Sequence, residues 1–427
     1  MSARRRLAGL LWLGTCSGCE FVAGLRGERG VSPFASAGAP EAQGGLAEPA
    51  CANDDGECAG RATSGGAGEQ GGEVMAGAGG VTASEAGAST AGEAGAALSE
   101  QAGDTGDGGF AGQINELPLT TPSCTGALAT SCGSVDPCTT LRVPGGTFEM
   151  GRSQSGAIAD YFATGASDEQ PEHTVTLSPY LLDTHEVTVG RFRRFVEAYT
   201  GAPPAADAGT QPKIPGSGWE KDWNPLLPTS QAELRKRLAA DILNDNADLK
   251  TWTDSASTSE CRPINGIDWY LAFAFCIWDQ GRLPSEAQWE FAASGGDRER
   301  LFPWGKKAPD KLAVFACNYF GEPSCTAGDL PNVGSKSPAG DGFFGHADLA
   351  GSLSEPTRDA YLANFYTSPQ ATGTDIVNIA FYGGNQQITL RGGNYHSPGT
   401  DIRGVVRQTW AVVDRSSLVG VRCARDR

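Results

Sequence analysis

The densest group of chemically capable side chains in the sequence is His396, Ser397 and Asp401, which fall within six positions of one another. A base, a hydroxyl and an acid are the parts of a nucleophilic centre, but a working centre needs them in spatial register, usually from separate loops. Pro398 and Gly399 stand between them and are typical of a turn. We therefore predict that these groups make local turn hydrogen bonds and not a catalytic relay.

The other histidines, His173, His185 and His346, are scattered along the chain. A zinc centre draws its nitrogen ligands from a cluster with regular spacing, and this distribution does not provide one. His173 and His185 also fall in or beside patterns that predict strands, where a histidine usually has a structural role. The sequence therefore does not predict a histidine-based metal centre.

Cysteine usage indicates an oxidising compartment. Ten cysteines follow the first nineteen residues, and an even number in an exported chain suggests disulfides. Cys51 with Cys58, and Cys317 with Cys325, are close enough in sequence to close small loops. Spacing leaves the connectivity of the others open: Cys124, Cys132, Cys138, Cys261, Cys276 and Cys423.

Residues 1–19 have the features of an export signal. Arg4, Arg5 and Arg6 precede a short apolar run, which is followed by Cys16 and Cys19. The small residues before Cys19 resemble the lipidation motif of bacterial lipoproteins, whereas Cys16 has the better-placed leucine. We predict lipidation at Cys19, with Cys16, or a plain secretory signal cut nearby, as the alternatives. The apolar run is too short to span a bilayer, so a lipid anchor would be the only membrane attachment.

Residues 20–120 form a Gly/Ala/Glu-rich stretch that predicts a disordered linker. It holds 24 of the 59 glycines, with 15 acidic and 3 basic residues, and it has too little apolar surface to offset the entropy of ordering. Neither it nor the remainder offers a basic stripe, which argues against nucleic-acid partners. With the export signal, this composition predicts a flexible tether in the bacterial cell envelope, on an outer-membrane lipoprotein that is periplasmic or surface-exposed. Secretion is the alternative.

The remaining chain predicts one α+β domain with many ordered loops. A cysteine-containing segment, 121–140, leads into a domain over 141–427. Short strands are predicted between the glycines of 141–151, with Phe148 and Met150 on one face, and at 173–177 and 180–183. Amphipathic helices are predicted after Thr188 and over 231–243. The nearly continuous apolar run at 264–278 predicts a buried helix. Ser285 and Gln288 have the spacing of a capping box, which predicts a helix that begins there.

Seven separated motifs occur in the order found in formylglycine-generating enzymes, the sulfatase-modifying factor family, and the sequence resembles that family over about 285 residues. They are VPGGTFEMG (143–151), EVT (186–188), PINGIDW (263–269), GRLPSEAQWEFAA (281–293), FPWG (302–305), RGGN (391–394) and GVRC (420–423). The resemblance implies a loop-rich fold like that of C-type lectins, with low regular secondary structure. It also implies a disulfide between Cys276 and Cys423.

The family's enzyme oxidises a peptidyl cysteine to formylglycine with oxygen and Cu(I), a soft ion that prefers thiolates. The positions of its two copper-binding cysteines correspond here to Ser397 and Ile402, and the serine of its Arg-Gly-Gly-Ser motif is Asn394. We therefore expect no copper and no catalytic residues of that type. Ser354 and Pro356 also replace two tryptophans of a family motif, so the local surface must differ.

The resemblance implies a structural calcium site in the loop from Asp348 to Glu355. Asp348 and Glu355 would give carboxylate oxygens, and Gly351 and Leu353 would give carbonyl oxygens. Asn318 matches a ligand of a second calcium site, with Asp329 as its partner. The alternative is that Asp348 and Glu355 cap turns or pair with Arg358 or Arg391.

These features predict a non-catalytic domain that binds a protein, a peptide or a glycan. The alternative is an oxidoreductase that converts a peptidyl cysteine to formylglycine, or a related oxidation by a route without copper. Fold resemblance alone does not choose between them.

Overall fold

The computed structural model describes residues 116–125, 132–154, 160–240, 250–316, 330–380 and 386–426. Over these residues the structure has four α-helices, ten short strands and several 3-10 turns joined by long loops. The helices are α1 (Val189–Ala198), α2 (Gln231–Ala239), α3 (Trp269–Trp278) and α4 (Glu286–Ser294). The strands are β1 (Glu116–Pro118), β2 (Thr139–Val143), β3 (Gly146–Met150), β4 (His173–Leu177), β5 (Tyr180–Asp183), β6 (Glu355–Ala360), β7 (Gly373–Thr374), β8 (Gln387–Arg391), β9 (Gln408–Ala411) and β10 (Ala424–Arg425).

The strands form three small sheets. The first has the order β1-β2-β5-β10, the second β3-β4-β7 and the third β6-β8-β9. All pairs are antiparallel except β4 with β7. Because β10 at the end of the chain pairs with β5, the first sheet joins distant parts of the sequence.

Local signals begin the helices as the sequence predicts. The side chain of Thr188 accepts a hydrogen bond from the backbone of Arg191 at the start of α1. At α4, Ser285 and Gln288 form both hydrogen bonds of the predicted capping box. α2 ends at Ala239, because Ala240 already has an extended backbone, so the predicted helix 231–243 is too long at its end; residues 241–243 lie outside the described residues.

The core is built on two helices that are buried on nearly every side. In α3, residues from Trp269 to Cys276 are buried, as the apolar run predicts, and its aromatic rings pack against α1. In α4, every residue is buried, and Phe291 packs edge-on against Phe148 of β3. Aromatic side chains of this size contribute much of the apolar burial that holds such a core together.

Three disulfides connect the described cysteines: Cys124–Cys138, Cys132–Cys261 and Cys276–Cys423. The third is the pair that the family resemblance implies. The first closes a loop within the segment 121–140, and the second ties that segment to the domain. Cys19, Cys51, Cys58, Cys317 and Cys325 lie outside the described residues.

The ordered domain begins earlier than the predicted linker boundary at residue 120. Strand β1 falls within 20–120, and it is held there by antiparallel pairing with β2. The rest of the predicted linker and the signal at 1–19 lie outside the described residues. Within the described residues, no helix is long and apolar enough to cross a membrane.

Candidate functional site

The loop that follows β8 carries the positions at which the family resemblance implies copper ligands. Gly392 and Gly393 have positive φ angles of 89° and 64°. A Cβ atom at Gly393 would lie only 2.6 Å from the Asp401 carbonyl oxygen and 2.8 Å from Ile402 Cγ2. Both the backbone conformation and the close approach therefore require glycine here.

Ser397 and Ile402 converge on this loop but do not form a metal site. The same Cβ position at Gly393 would be 3.2 Å from Ser397 Oγ, so the two side chains face one point. Ser397 Oγ accepts a hydrogen bond from the Asn394 backbone N–H at 3.0 Å. Ile402 is fully buried and packs in an apolar cluster with Phe302 and Trp304. One hydroxyl and one hydrocarbon do not fit Cu(I), which prefers thiolates.

The turn predicted around His396 is present. The His396 backbone N–H donates to Asn394 Oδ1 at 3.0 Å, and Thr400 Oγ1 donates to Asp401 Oδ1 at 2.9 Å. Since Ser397 Oγ bonds to the backbone of Asn394, these polar groups have the local turn contacts that their spacing predicts.

His185 and His346 are buried, and their environment keeps them neutral. Burial and the positive charge of Arg422 lower the pKa of each imidazole to about 3. His173 is buried as well, and its ring packs on Tyr366 with 4.3 Å between ring centroids. These environments favour the structural role predicted for His173 and His185, and the buried position of His346 favours the same role for that residue.

A buried ion network connects this loop to α4. Arg391 pairs with Glu286 and Glu290, and Arg407 donates from its Nε to Glu286 Oε1 at 2.6 Å. Tyr366 Oη donates to Glu286 at 3.3 Å. Burial alone would raise the pKa of Glu286, but the charges of Arg407 and Arg391 outweigh it and hold that pKa below its usual value.

Sequence reasoning missed this network and paired Arg391 differently. It proposed Arg358 or Arg391 as alternative partners for Asp348 and Glu355. In the structure Arg391 pairs with Glu286 and Glu290, and Arg358 donates to the carbonyl oxygens of Ser217 and Gly216. The two glutamates are four positions apart, so they share one face of α4, but nothing local in the sequence shows that the face is buried.

The loop from Asp348 to Glu355 gathers the acids of the predicted calcium site. Asp348 has a positive φ of 58°, and its Oδ2 accepts from the Gly334 N–H at 2.6 Å. Glu355 is paired with Arg422, whose Nη2 lies 2.8 Å from Oε1, and it also accepts from Trp289 Nε1 at 2.7 Å. Arg422, and neither Arg358 nor Arg391, is therefore the cation next to Glu355.

A third acid, the buried Glu186, lies beside this loop. Its two oxygens accept from Ser352 Oγ at 2.7 Å and from the Leu353 N–H at 3.0 Å. Burial and the negative charges of Glu355 and Asp348 raise its pKa well above the usual value, and burial raises the pKa of Asp348 to about 6. Three carboxylates, of which Glu186 and Glu355 are buried and Asp348 is half-buried, thus surround the guanidinium of Arg422.

This arrangement fits a hard cation in part. Excess negative charge and a carboxylate next to loop carbonyls are what calcium prefers. Asp348 fits best, whereas Glu355 can contribute only by sharing an oxygen that Arg422 or Trp289 already contacts. Asn318 and Asp329 lie outside the described residues.

A separate groove runs between α1, α3 and the long segment that follows α1. Its volume is about 200 Å³. Its walls include the aromatic side chains Phe195, Tyr199 and Trp278 on one side and Pro203, Pro204 and Leu227 on the other. An apolar cleft with aromatic walls can bind a small ligand or an extended peptide.

Comparison with known proteins gives a consistent family match. The family described as the sulfatase-modifying factor enzyme 1-like domain matches residues 128–427. The serine/threonine-protein kinase Pkn1 of Chlamydia trachomatis is 28% identical over 280 residues, covering 65% of this chain and 38% of the relative. The formylglycine-generating enzyme of Thermomonospora curvata is 27% identical over 309 residues, covering 67% of this chain and 93% of the relative.

A third relative is named as an inactive member of the family. The inactive C-alpha-formylglycine-generating enzyme 2 of Bos taurus is 26% identical over 276 residues, covering 61% of this chain and 84% of the relative. The chain spans somewhat more than a third of the length of the Pkn1 relatives from three Chlamydia species.

Proposed function

Because the chain belongs to the sulfatase-modifying factor enzyme 1-like family, we propose that it uses the family's scaffold as a non-catalytic domain that binds a protein, a peptide or a glycan. One observation carries this proposal. The positions that would supply copper thiolates are Ser397, whose hydroxyl bonds to a backbone N–H, and Ile402, which is fully buried among apolar side chains. Neither side chain can bind Cu(I) in place of a thiolate.

Three further observations support a non-catalytic, binding role. Six cysteines of the described residues are bonded in disulfides, so none of those six offers a free thiolate. The groove beside Trp278 has aromatic rings and prolines on its walls, and aromatic surfaces bind prolines and the apolar faces of other ligands. The relative named as inactive shows that the family name and lack of activity occur together in a curated protein.

The deciding experiment tests for the family's reaction. The purified chain is incubated with a sulfatase-type cysteine peptide, Cu(I) and oxygen, and aldehyde formation is followed by mass spectrometry. The enzyme from Thermomonospora curvata serves as the positive control. We expect no aldehyde from this chain. Turnover comparable to that of the control enzyme would contradict the proposal and favour the oxidoreductase.

Binding is then tested at the groove. Ala202 lines the groove and is exposed, so Ala202→Arg should fill it without disturbing the core. Exposed Ala206, which does not line the groove, provides the matched control Ala206→Arg. On peptide and glycan arrays we expect ligands that the chain and Ala206→Arg retain and that Ala202→Arg loses. An unchanged pattern for Ala202→Arg would exclude the groove as the binding surface.

We also propose that the chain is exported, is tethered at Cys19 and binds calcium at the loop of Asp348. The signal at 1–19 supports the first two, and the three carboxylates around Arg422 support the third.

A further inference from the structure

Three acids from separate segments meet near the start of β4. Asp160 lies in the loop between β3 and β4, Glu172 directly precedes β4, and Glu299 follows α4. Each offers one carboxylate oxygen, and these oxygens all lie within 4.8 Å of one another. Acids are common on protein surfaces, so the argument for a site depends on how these are held.

Asp160 is buried, and only one of its two carboxylate oxygens has a hydrogen-bond partner among the described residues. It is 1% exposed, and its Oδ1 is buried with no hydrogen-bond partner among the described residues. Its Oδ2 accepts from the Ser153 N–H at 3.2 Å. Ser153 Oγ donates in turn to Glu172 Oε1 at 2.8 Å, which fixes the two acids relative to each other. A buried carboxylate oxygen without a hydrogen-bond partner reduces the stability of the fold, unless a bound ion or water molecule interacts with it.

The surrounding charges do not provide that compensation. Arg152 is the cation next to Asp160, but its Nε already pairs with Glu169 at 2.7 Å. Glu149 and Asp297 add further negative charge near Glu299. Burial, followed by repulsion from Glu172 and Asp160, raises the pKa of Glu299 to about 7, as expected for an acid group that lacks a counter-ion.

We infer that Asp160, Glu172 and Glu299 bind a hard divalent cation and that calcium is the ion that fits. Carboxylate oxygens are its preferred ligands, and the limit of 4.8 Å on their separation is twice the usual Ca²⁺–oxygen distance of about 2.4 Å. Zinc prefers nitrogen and sulfur ligands, which this cluster lacks. Mg²⁺ demands shorter distances, near 2.1 Å, and a stricter octahedral arrangement. Water and carbonyl oxygens would complete the shell of six to eight ligands that calcium takes.

This site is separate from the loop of Asp348 and shares no residue with it. A cation here would join the loop before β4 to the segment after α4, so it would stabilise two loops that no disulfide of the described residues connects. Its existence does not depend on what the domain binds or on any catalysis.

The test is a calcium titration of the purified chain after treatment with a chelator and dialysis, followed by calorimetry. All proteins carry Asp348→Asn and Asn318→Ala, so that both calcium sites that the family resemblance implies are removed from the measurement. We expect this background protein to bind one calcium ion here, and both Asp160→Asn and Glu299→Gln to weaken that binding at least tenfold. Exposed Asp222 gives the matched control Asp222→Asn, which should bind as the background protein does.

Glu299 is only half-buried, so Glu299→Gln keeps the test valid if Asp160→Asn does not fold. Circular dichroism of each variant checks this directly. The inference is wrong if the background protein binds no calcium, or if Glu299→Gln binds it with unchanged affinity. Tighter binding of Mg²⁺ than of Ca²⁺ would overturn the assignment to calcium.

Discussion

Single residues decide the chemistry at the loop after β8. The backbone there keeps two glycines with positive φ, and Ser397 and Ile402 face the same point beside Gly393. The two side chains therefore present no copper-binding atoms, although they converge on one point of the loop. Whether the two positions would bind copper if they carried thiolates can be tested directly.

We expect Ser397→Cys/Ile402→Cys to gain Cu(I) binding, because two thiolates would then converge beside Gly393. Replacing buried Ile402 should cost about 1–2 kcal/mol of unfolding free energy, since it removes apolar contacts. Affinity is measured by competition with a chromogenic Cu(I) chelator under reducing conditions. Ser397→Cys alone is the control, and it should bind at least 100-fold more weakly. Equal affinities would mean that the two positions do not face each other closely enough to share an ion.

Asp359 predicts a specific pH dependence of stability. Its oxygens accept backbone N–H groups from Glu286 and Asn378, and burial together with the negative charge of Glu286 raises its pKa to about 7. An acid whose pKa is higher in the folded state stabilises the fold at low pH, and that contribution is lost as the pH rises from about 4 through about 7.

Urea unfolding at pH 5 and pH 8 should reveal this as a difference between the chain and Asp359→Asn. The stability of the chain relative to the variant should fall by roughly 2 kcal/mol over that interval. The exposed-site variant Asp222→Asn should keep the pH dependence of the unchanged chain. If the stability of Asp359→Asn changes with pH in the same way as that of the unchanged chain, Asp359 does not titrate in this range.

At the scale of elements, α4 depends on the cap at its first turn. Ser285 is buried, its Oγ accepts from the Gln288 N–H at 3.1 Å, and Gln288 Oε1 accepts from the Ser285 N–H at 3.1 Å. Ser285→Ala should therefore reduce the unfolding free energy by about 1 kcal/mol or more, since it leaves a buried donor unpaired. Chemical denaturation measures it, with Ser255→Ala at an exposed position as the control. A loss no larger than that of the control would mean that the cap adds nothing measurable to α4.

The elements that the sequence predicted well are those with local causes. Thr188 and Ser285 cap helices through residues three positions away, and the apolar run of α3 is buried as its composition requires. The ion network around Glu286 could not be predicted, because its partners lie more than 100 positions away at Arg391 and Arg407. The same distance hid the disulfide between Cys132 and Cys261.

The candidate site was predicted mainly from the resemblance to the family and less from local patterns in the sequence. The resemblance placed Ser397 and Ile402 on one loop and gathered Asp348 with Glu355, but it did not show that Arg422 holds Glu355. The cluster of Asp160, Glu172 and Glu299 had no signal in the sequence at all. Its members come from three segments that only the folded chain brings together.

At the scale of the whole domain, calcium should act as a stabiliser of loops. A ligand that binds only the folded state at 100 times its dissociation constant adds about 2.7 kcal/mol of stability. We therefore expect calcium to raise the melting temperature by several degrees, and Asp348→Asn to lose part of that increase. Scanning calorimetry with calcium and with chelator measures both, and Asp222→Asn should respond as the unchanged chain does. If calcium raises the melting temperature of Asp348→Asn as much as that of the unchanged chain, the calcium that stabilises the domain binds at another site.

The proposed tether would determine where such a domain works. If residues 1–19 direct export and Cys19 receives lipid, the acidic stretch over 20–120 can hold the domain at a distance from the membrane without a transmembrane helix. We expect the chain expressed in a bacterial host to incorporate labelled fatty acid and to fractionate with membranes, and Cys19→Ser to lose both properties. Cys16→Ser is the matched control and should keep them. If labelling persists in Cys19→Ser and disappears in Cys16→Ser, the lipid anchor is at Cys16. If neither the unchanged chain nor any variant is labelled, the result favours a secreted domain that binds its ligand in solution.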